Sequence, residues 1–271
     1  MSFWILIILG IVQGLTEFLP VSSSGHLVLL YQIFGIQNDV VILSILLHLA
    51  TLVAVLVYYR KDILILLKHP LCPTNRKILV TTLATCVVVI AIKPIIDDGF
   101  RGGHIPLFFI ITGILLWISD WINRKNPKPI STAFFENDTS LTKDLPITYP
   151  QAIIVGISQG IACVPGISRS GTTIATTKML GAGNISAKYS FLIAIPTIIG
   201  SLLVQILSGE RLVVCNPLAL IISCVVCFAI GLLCIKAMTE FVKKNSLKIF
   251  SIYLFILAMF MLINSAFLHL F

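Results

Sequence analysis

Charge is what this chain has least of. Only 11 % of its residues are charged and just 11 of its 271 residues are acidic, against 58 % hydrophobic residues. A mean hydropathy of +1.04 excludes an ordinary soluble domain. The short alternating segments that a membrane β-barrel requires are missing, and the long unbroken apolar runs point to helices, which satisfy their backbone hydrogen bonds internally. The seven cysteines follow neither a disulfide nor a zinc framework. Cys224 and Cys227 have C-x-x-C spacing, but inside an apolar helical run, which favours packing over metal or redox chemistry. The N-terminal run has no basic flank and no small-residue cleavage site, so it is not expected to be a signal peptide.

What charge there is falls into a pattern. Arg60–Lys77 holds five Lys/Arg, Arg124–Lys143 holds four and Lys236–Lys248 holds four, whereas the alternate loops hold only Lys93, Arg101 and Arg211. The net charge of +8 is therefore assigned to membrane topology, with no nucleic-acid partner expected. Six spans are predicted, at about 40–58, 77–96, 105–123, 185–207, 214–236 and 247–268. The basic loops then lie in the cytoplasm and both termini outside it.

Two further apolar stretches are broken in the middle. Residues 2–18 read as a helix of roughly 25 Å, too short for a comfortable crossing, before Pro20 interrupts and Ser22–Ser24 open a second helix to about Phe34. Residues 149–182 repeat the design, with a break at Pro165-Gly166. Both read as re-entrant hairpins.

The two hairpins are copies. Displacing Ile8–Gly25 by 146 positions onto Ile154–Gly171 matches eight of eighteen residues without a gap: Ile8, Gly10, Ile11, Gln13, Gly14, Ser22, Ser24 and Gly25. Each half is then one hairpin plus three spans. Three is odd, so the second half is inverted relative to the first and the broken tips can meet near the midplane. The expected architecture is an all-α integral membrane protein with six transmembrane helices and two re-entrant hairpins in an inverted repeat. Residues 1–124 form the first repeat, 125–148 a polar cytoplasmic linker with Pro127, Pro129, Asn137 and Asp138, and 149–271 the second repeat. Gly156 and Gly160 in the second hairpin suit close helix contact rather than lipid exposure, while small residues in the spans suit internal packing or a homodimer seam equally well.

The tips carry the chemistry. Gln13 and Glu17, four apart, share a helix face and can address one ligand or metal ion. Ser22, Ser23, Ser24 and Gly25 sit where a helix begins, where free amides and the dipole favour a phosphate. Gly166, Ser168, Ser170 and Thr173 repeat this at the second tip, and Arg169 adds a guanidinium fork matched to phosphate oxygens. His26, one turn into its helix, is a candidate base, acid or nucleophile. Glu17 would help hold a divalent cation, Mg2+ or Ca2+, that offsets diphosphate charge. His48, mid-span in an apolar run, reads as packing or a helix–helix hydrogen bond. Asp120 reads as interfacial beside Trp117, Trp121 and Arg124, and Asp39, Asp97, Asp98 and His104 as outer loop.

At these residues the chain resembles the undecaprenyl-diphosphate phosphatases of bacterial inner membranes, the bacitracin-resistance phosphatases. Gln13 and Glu17 match that family's (Glu/Gln)-x-x-x-Glu motif, and Leu19 to His26 its Leu-Pro-Val-Ser-Ser-x-Gly-His run. Pro165 to Thr173 match Pro-Gly-x-Ser-Arg-Ser-x-x-Thr. The resemblance implies removal of the terminal phosphate from a C55 polyprenyl diphosphate, divalent-cation dependence and a site open toward the periplasm. It also implies that Glu17, Ser23, His26, Ser168, Arg169 and Thr173 belong to the site, with Ser22 and Ser170 beside them. Gln13 stands where many members have glutamate, which weakens a two-carboxylate metal site. The resemblance leaves open whether His26 is the nucleophile or the base that activates Ser23. A secondary transporter or flippase for a phosphorylated lipid or anion is the competing reading, because inverted repeats with broken helices are common there.

Overall fold

The computed structural model describes residues 2–36, 40–99, 103–125, 145–207, 216–244 and 246–268, and every regular element among them is helical. The first hairpin is α1 (Phe3–Thr16) and α2 (Ser23–Ile33). The first half continues through α3 (Val40–Tyr58), α4 (Arg60–Lys68), α5 (Pro73–Ala91), α6 (Lys93–Gly99) and α7 (Ile105–Lys125). The second hairpin is α8 (Tyr149–Ile161) and α9 (Arg169–Met179), followed by α10 (Ser186–Leu207), α11 (Pro217–Lys244) and α12 (Lys248–Ile263).

Five of these helices, α5, α7, α10, α11 and α12, are long and apolar enough to cross a bilayer. The sixth expected span is α3, which bends by 77° into α4 at Tyr59. The basic stretch expected as a loop after residue 58 is thus partly helical, with Lys188 of α10 donating to Asp62 at 2.8 Å. The expected span 77–96 starts earlier, at Pro73, whose missing N–H costs nothing in the first turn, and ends at Ala91. Most of the expected linker, residues 126–144, lies outside the described residues, as does Asp39.

α5 shows how the solvent dictates the pattern. Thr74, Lys77, Thr81 and Thr85 are buried along one face, while Leu79, Leu83, Val87 and Ile90 are exposed along the other. That arrangement is inside out for water and natural in lipid, where apolar side chains gain nothing from burial and helices associate through close packing and hydrogen bonds.

Helix packing is exchanged between the halves. α1 lies along α11, α8 lies along α5, and the last spans α7 and α12 pack together. Glycines permit the two exchanged contacts. A Cβ on Gly10 would come within 2.5 Å of the Ser223 carbonyl oxygen, and one on Gly156 within 2.4 Å of the Thr81 carbonyl oxygen. Gly14 and Gly160 repeat this one turn on, against Cys227 and against Val88. The hydrogen bonds repeat too: Ser223 Oγ donates to the Leu6 carbonyl at 2.6 Å, and Thr81 Oγ1 to the Ala152 carbonyl at 3.0 Å. These small residues are therefore spent on packing inside the chain. Cys227 is buried in the same seam with its Sγ near the Leu47 carbonyl, the packing role expected of it.

Candidate active site

The hairpin tips meet. The Gly166 amide donates to Ser24 Oγ at 3.3 Å, and Ser170 Oγ donates to the Leu19 carbonyl at 2.9 Å. A Cβ on Gly25 would come within 3.2 Å of Gly166 Cα, and one on Gly171 within 3.1 Å of Pro20 Cβ. Each break thus rests on the opposite helix start, as two copies related by an exchange must.

Both helix starts are capped alike. Ser22 Oγ accepts from the Gly25 amide at 3.3 Å, and Ser168 Oγ accepts from the Gly171 amide at 3.0 Å. The amides of Ser23 and Ser24, and of Arg169 and Ser170, have no hydrogen-bond partner among the described residues. Four N–H groups without a partner among the described residues thus stand at two facing helix starts, where free amides and the helix dipole favour an anion. Ser22 itself adopts φ 71°, a left-handed conformation that costs a non-glycine residue about 1–2 kcal/mol. Its carbonyl is thereby aimed at the His26 ring, accepting from Nδ1 at 2.7 Å.

The charged centre is a cluster around Glu17, whose side chain is 4 % exposed. Arg169 Nη2 donates to Oε1. Ser23 Oγ donates to Oε2 at 2.5 Å, and Gln13 Nε2 donates to the same oxygen at 3.0 Å. The buried carboxylate is thus surrounded by a guanidinium and two neutral donors. The pair faces a small recess lined also by Phe18, Ser170, Ser190, Phe191, Ala194 and Ile198.

His48 belongs to this cluster: of the packing and the helix–helix hydrogen bond expected of it, its polar approach to another helix is the one seen. Its Nδ1 lies 2.8 Å from the Ser44 carbonyl, so that nitrogen carries the proton and Nε2 faces Glu17 Oε2 at 3.8 Å. The signal was its ionisable ring at membrane depth, which outweighs the apolar context. Asp120, near the end of α7, is 4 % exposed, accepting from Ser246 Oγ and the Lys248 amide and lying 3.6 Å from Lys178 Nζ.

His26 and Thr173 do not enter the Glu17 cluster. His26 Nε2 is 2.7 Å from the Tyr253 hydroxyl. Thr173 Oγ1 is buried against Ser190 Oγ at 2.5 Å and donates to its own helix at the Arg169 carbonyl. The group in contact with Ser23 is Glu17, which bears on the choice of base left open above. Asp97 forms an exposed ion pair with Lys93 at 3.7 Å, and His104 packs by Phe108, the residue that lies against Gly166 at the second tip.

A divalent cation can be weighed against these residues. Among the described residues, no group of three or more His, Cys, Asp or Glu could form an all-protein cage. Gln13 Oε1, however, is a buried oxygen with no partner, on the side chain whose nitrogen bonds Glu17. A carboxylate, an orphaned amide oxygen and a nearby imidazole nitrogen suit a cation that takes its remaining ligands from phosphate and water.

Comparison with known proteins agrees with this geometry. The chain is 36 % identical over 267 residues to an undecaprenyl-diphosphatase of Carboxydothermus hydrogenoformans, covering 96 % of each chain. It is 33 % identical over 267 residues to an undecaprenyl-diphosphatase of Christiangramia forsetii, covering 93 % of this chain and 94 % of that one. A third of the same name, from Methanobrevibacter smithii, is 31 % identical over 282 residues, covering 96 % of each. Residues 6–260 match the family model described as bacitracin resistance protein BacA. A match over nearly the whole chain, including both hairpin tips and the helices that hold them, means that this protein belongs to the BacA bacitracin resistance family.

Proposed function

We propose that this chain is a membrane-embedded undecaprenyl-diphosphatase, hydrolysing undecaprenyl diphosphate to undecaprenyl phosphate and inorganic phosphate and so recycling the lipid carrier for cell-wall synthesis. The observation that carries the reading is the Ser23–Glu17–Arg169 contact beside four free amides at two facing helix starts. A pure transporter needs the anion site but has no need of a hydroxyl resting on a buried carboxylate, and the relatives are named as enzymes.

In this reading Ser23 is the nucleophile. Its Oγ forms a bond to the terminal phosphorus, its proton passes to Glu17, and the bridging P–O bond breaks. The lipid monophosphate leaves with the bond's electron pair. Water then cleaves the phosphoserine, releasing phosphate and restoring the hydroxyl. Arg169 and the amides of Ser23, Ser24, Arg169 and Ser170 stabilise the charge that spreads onto the phosphoryl oxygens. Ser22 and Ser168 shape the two helix starts, and Gly25 and Gly166 let them approach. Thr173 braces α9 behind Arg169.

Glu17, with Gln13 Oε1 and His48 Nε2 beside it, would hold the divalent cation, Mg2+ or Ca2+, which when bound offsets diphosphate charge. The protein sits in the bacterial inner membrane with its termini and the site opening toward the periplasm, in keeping with the alternation of basic loops. The experiment is phosphate release from undecaprenyl diphosphate by purified protein with Mg2+ or Ca2+. No release from a folded preparation would overturn the reading.

A further inference from the structure

The reaction scheme above leaves the ring of His26 unassigned, yet both its nitrogens are engaged. Nδ1 lies 2.7 Å from the Ser22 carbonyl. A carbonyl only accepts, so Nδ1 carries the proton, and the neutral ring has its lone pair on Nε2. The Tyr253 hydroxyl, 2.7 Å from Nε2, is then the donor to that lone pair.

The contact is built rather than casual. Tyr253 comes from α12, 227 positions away in the chain. Its ring plane is 6° from that of the imidazole, with centroids 5.7 Å apart. Phe109 of α7 closes the ring from another side at 5.4 Å. Gly25 makes room for that phenyl ring, since a Cβ there would lie 2.4 Å from Phe109 Cε1. His26 is buried at 8 % exposure, whereas Tyr253 is 44 % exposed as a residue.

We infer that Tyr253 is a positioning residue for His26, fixing its Nδ1–H tautomer and ring plane and serving as the atom through which Nε2 exchanges protons. Because the phenolic proton occupies the lone pair, a proton that His26 takes up arrives at the phenolic oxygen, while the phenolic proton moves onto Nε2. A proton taken from the attacking water in the second half of the reaction has this route. The inference rests on the function proposed above and on the position of His26 in the first turn of the helix that begins at Ser23.

The test is Tyr253→Phe in the full chain, which keeps the ring and removes the donor. With histidine labelled in 15N, the Nε2 resonance of His26, identified by its loss in His26→Gln, is expected to shift by several ppm toward a free acceptor. Carbethoxylation of His26 by diethyl pyrocarbonate, read by peptide mass, is expected to become several-fold faster. The kcat is expected to fall at least fivefold with KM within twofold. An unchanged resonance and modification rate would overturn the hydrogen bond. A shifted resonance with unchanged kcat would overturn its part in the reaction. Wild-type protein that releases no phosphate would overturn the proposed function instead, while the resonance and modification readouts still decide the Tyr253 contact.

Discussion

Arg169 and Glu17 stand 152 positions apart in the chain and in direct contact in the fold. Removing either leaves the other's charge buried, so the pair stands or falls together. Arg169→Lys keeps the charge and loses the fork. It is expected to cost about 1–3 kcal/mol in transition-state stabilisation, roughly 5- to 150-fold in kcat/KM. Phosphate release from undecaprenyl diphosphate measures it, and near-normal turnover would take Arg169 out of the phosphate site.

The adjacent serines are expected to separate. Ser23 Oγ donates to Glu17, whereas Ser24 Oγ accepts from the Gly166 amide. Ser23→Ala is expected to lower kcat by about 10³-fold or more, as loss of a nucleophile does. Ser24→Ala is expected to cost about tenfold or less, a single neutral hydrogen bond. Equal effects in steady-state assays would contradict the assignment of Ser23.

Chelation is expected to abolish hydrolysis while leaving the far-ultraviolet circular dichroism unchanged, and Mg2+ or Ca2+ to restore activity. Glu17→Gln should lose the cation response together with turnover. In His48→Gln the cation concentration for half-activation is expected to rise several-fold, because an imidazole 3.8 Å from Glu17 is replaced by a weaker ligand. An unaltered cation titration in that variant would place the ion away from His48.

The helix seams give a stability test. Gly156→Ala is expected to destabilise the protein by about 1–3 kcal/mol, since its Cβ would meet backbone at 2.4 Å. Gly200→Ala, with nothing within 4 Å, is expected to be neutral or to stabilise by about 0.5–1 kcal/mol. Thermal unfolding in detergent checks both, and the contrast matters more than either value.

Asp120→Ala is expected to cost about 3–5 kcal/mol by leaving Lys178 buried without its carboxylate. Asp120→Leu combined with Lys178→Met should recover most of that loss in the same melting assay. The recovery would show that the pair orders α7, α9 and α12 rather than supplying net stability.

The hairpins, their breaks and the serine caps were legible in the sequence because each has a local cause: Pro20 and Pro165-Gly166 interrupt, and Ser22 and Ser168 cap. The meeting of Arg169 with the Glu17 end was legible because duplication imposes equivalent places on the two tips. His48 and Tyr253 were not. Each is joined to the site by a helix crossing, α3 over α1 and α12 beside α2, and no periodicity in either segment encodes which neighbour it will face. The bend at Tyr59 escaped for a related reason: α4 follows α3 after a single residue, without proline or glycine to mark the turn. Asp120 reads as interfacial from its tryptophan neighbours, but its partners Ser246, Lys248 and Lys178 are brought to it only by the fold.

The glycine-lined seams make the two halves mutual chaperones. α1 has its groove on α11, and α8 has its groove on α5, so a nascent N-terminal half emerges with its first helix packed on α2 and α3 but without the α11 groove until that span is inserted. Expressed as two separate polypeptides, the halves should each be degraded alone and persist only when made together.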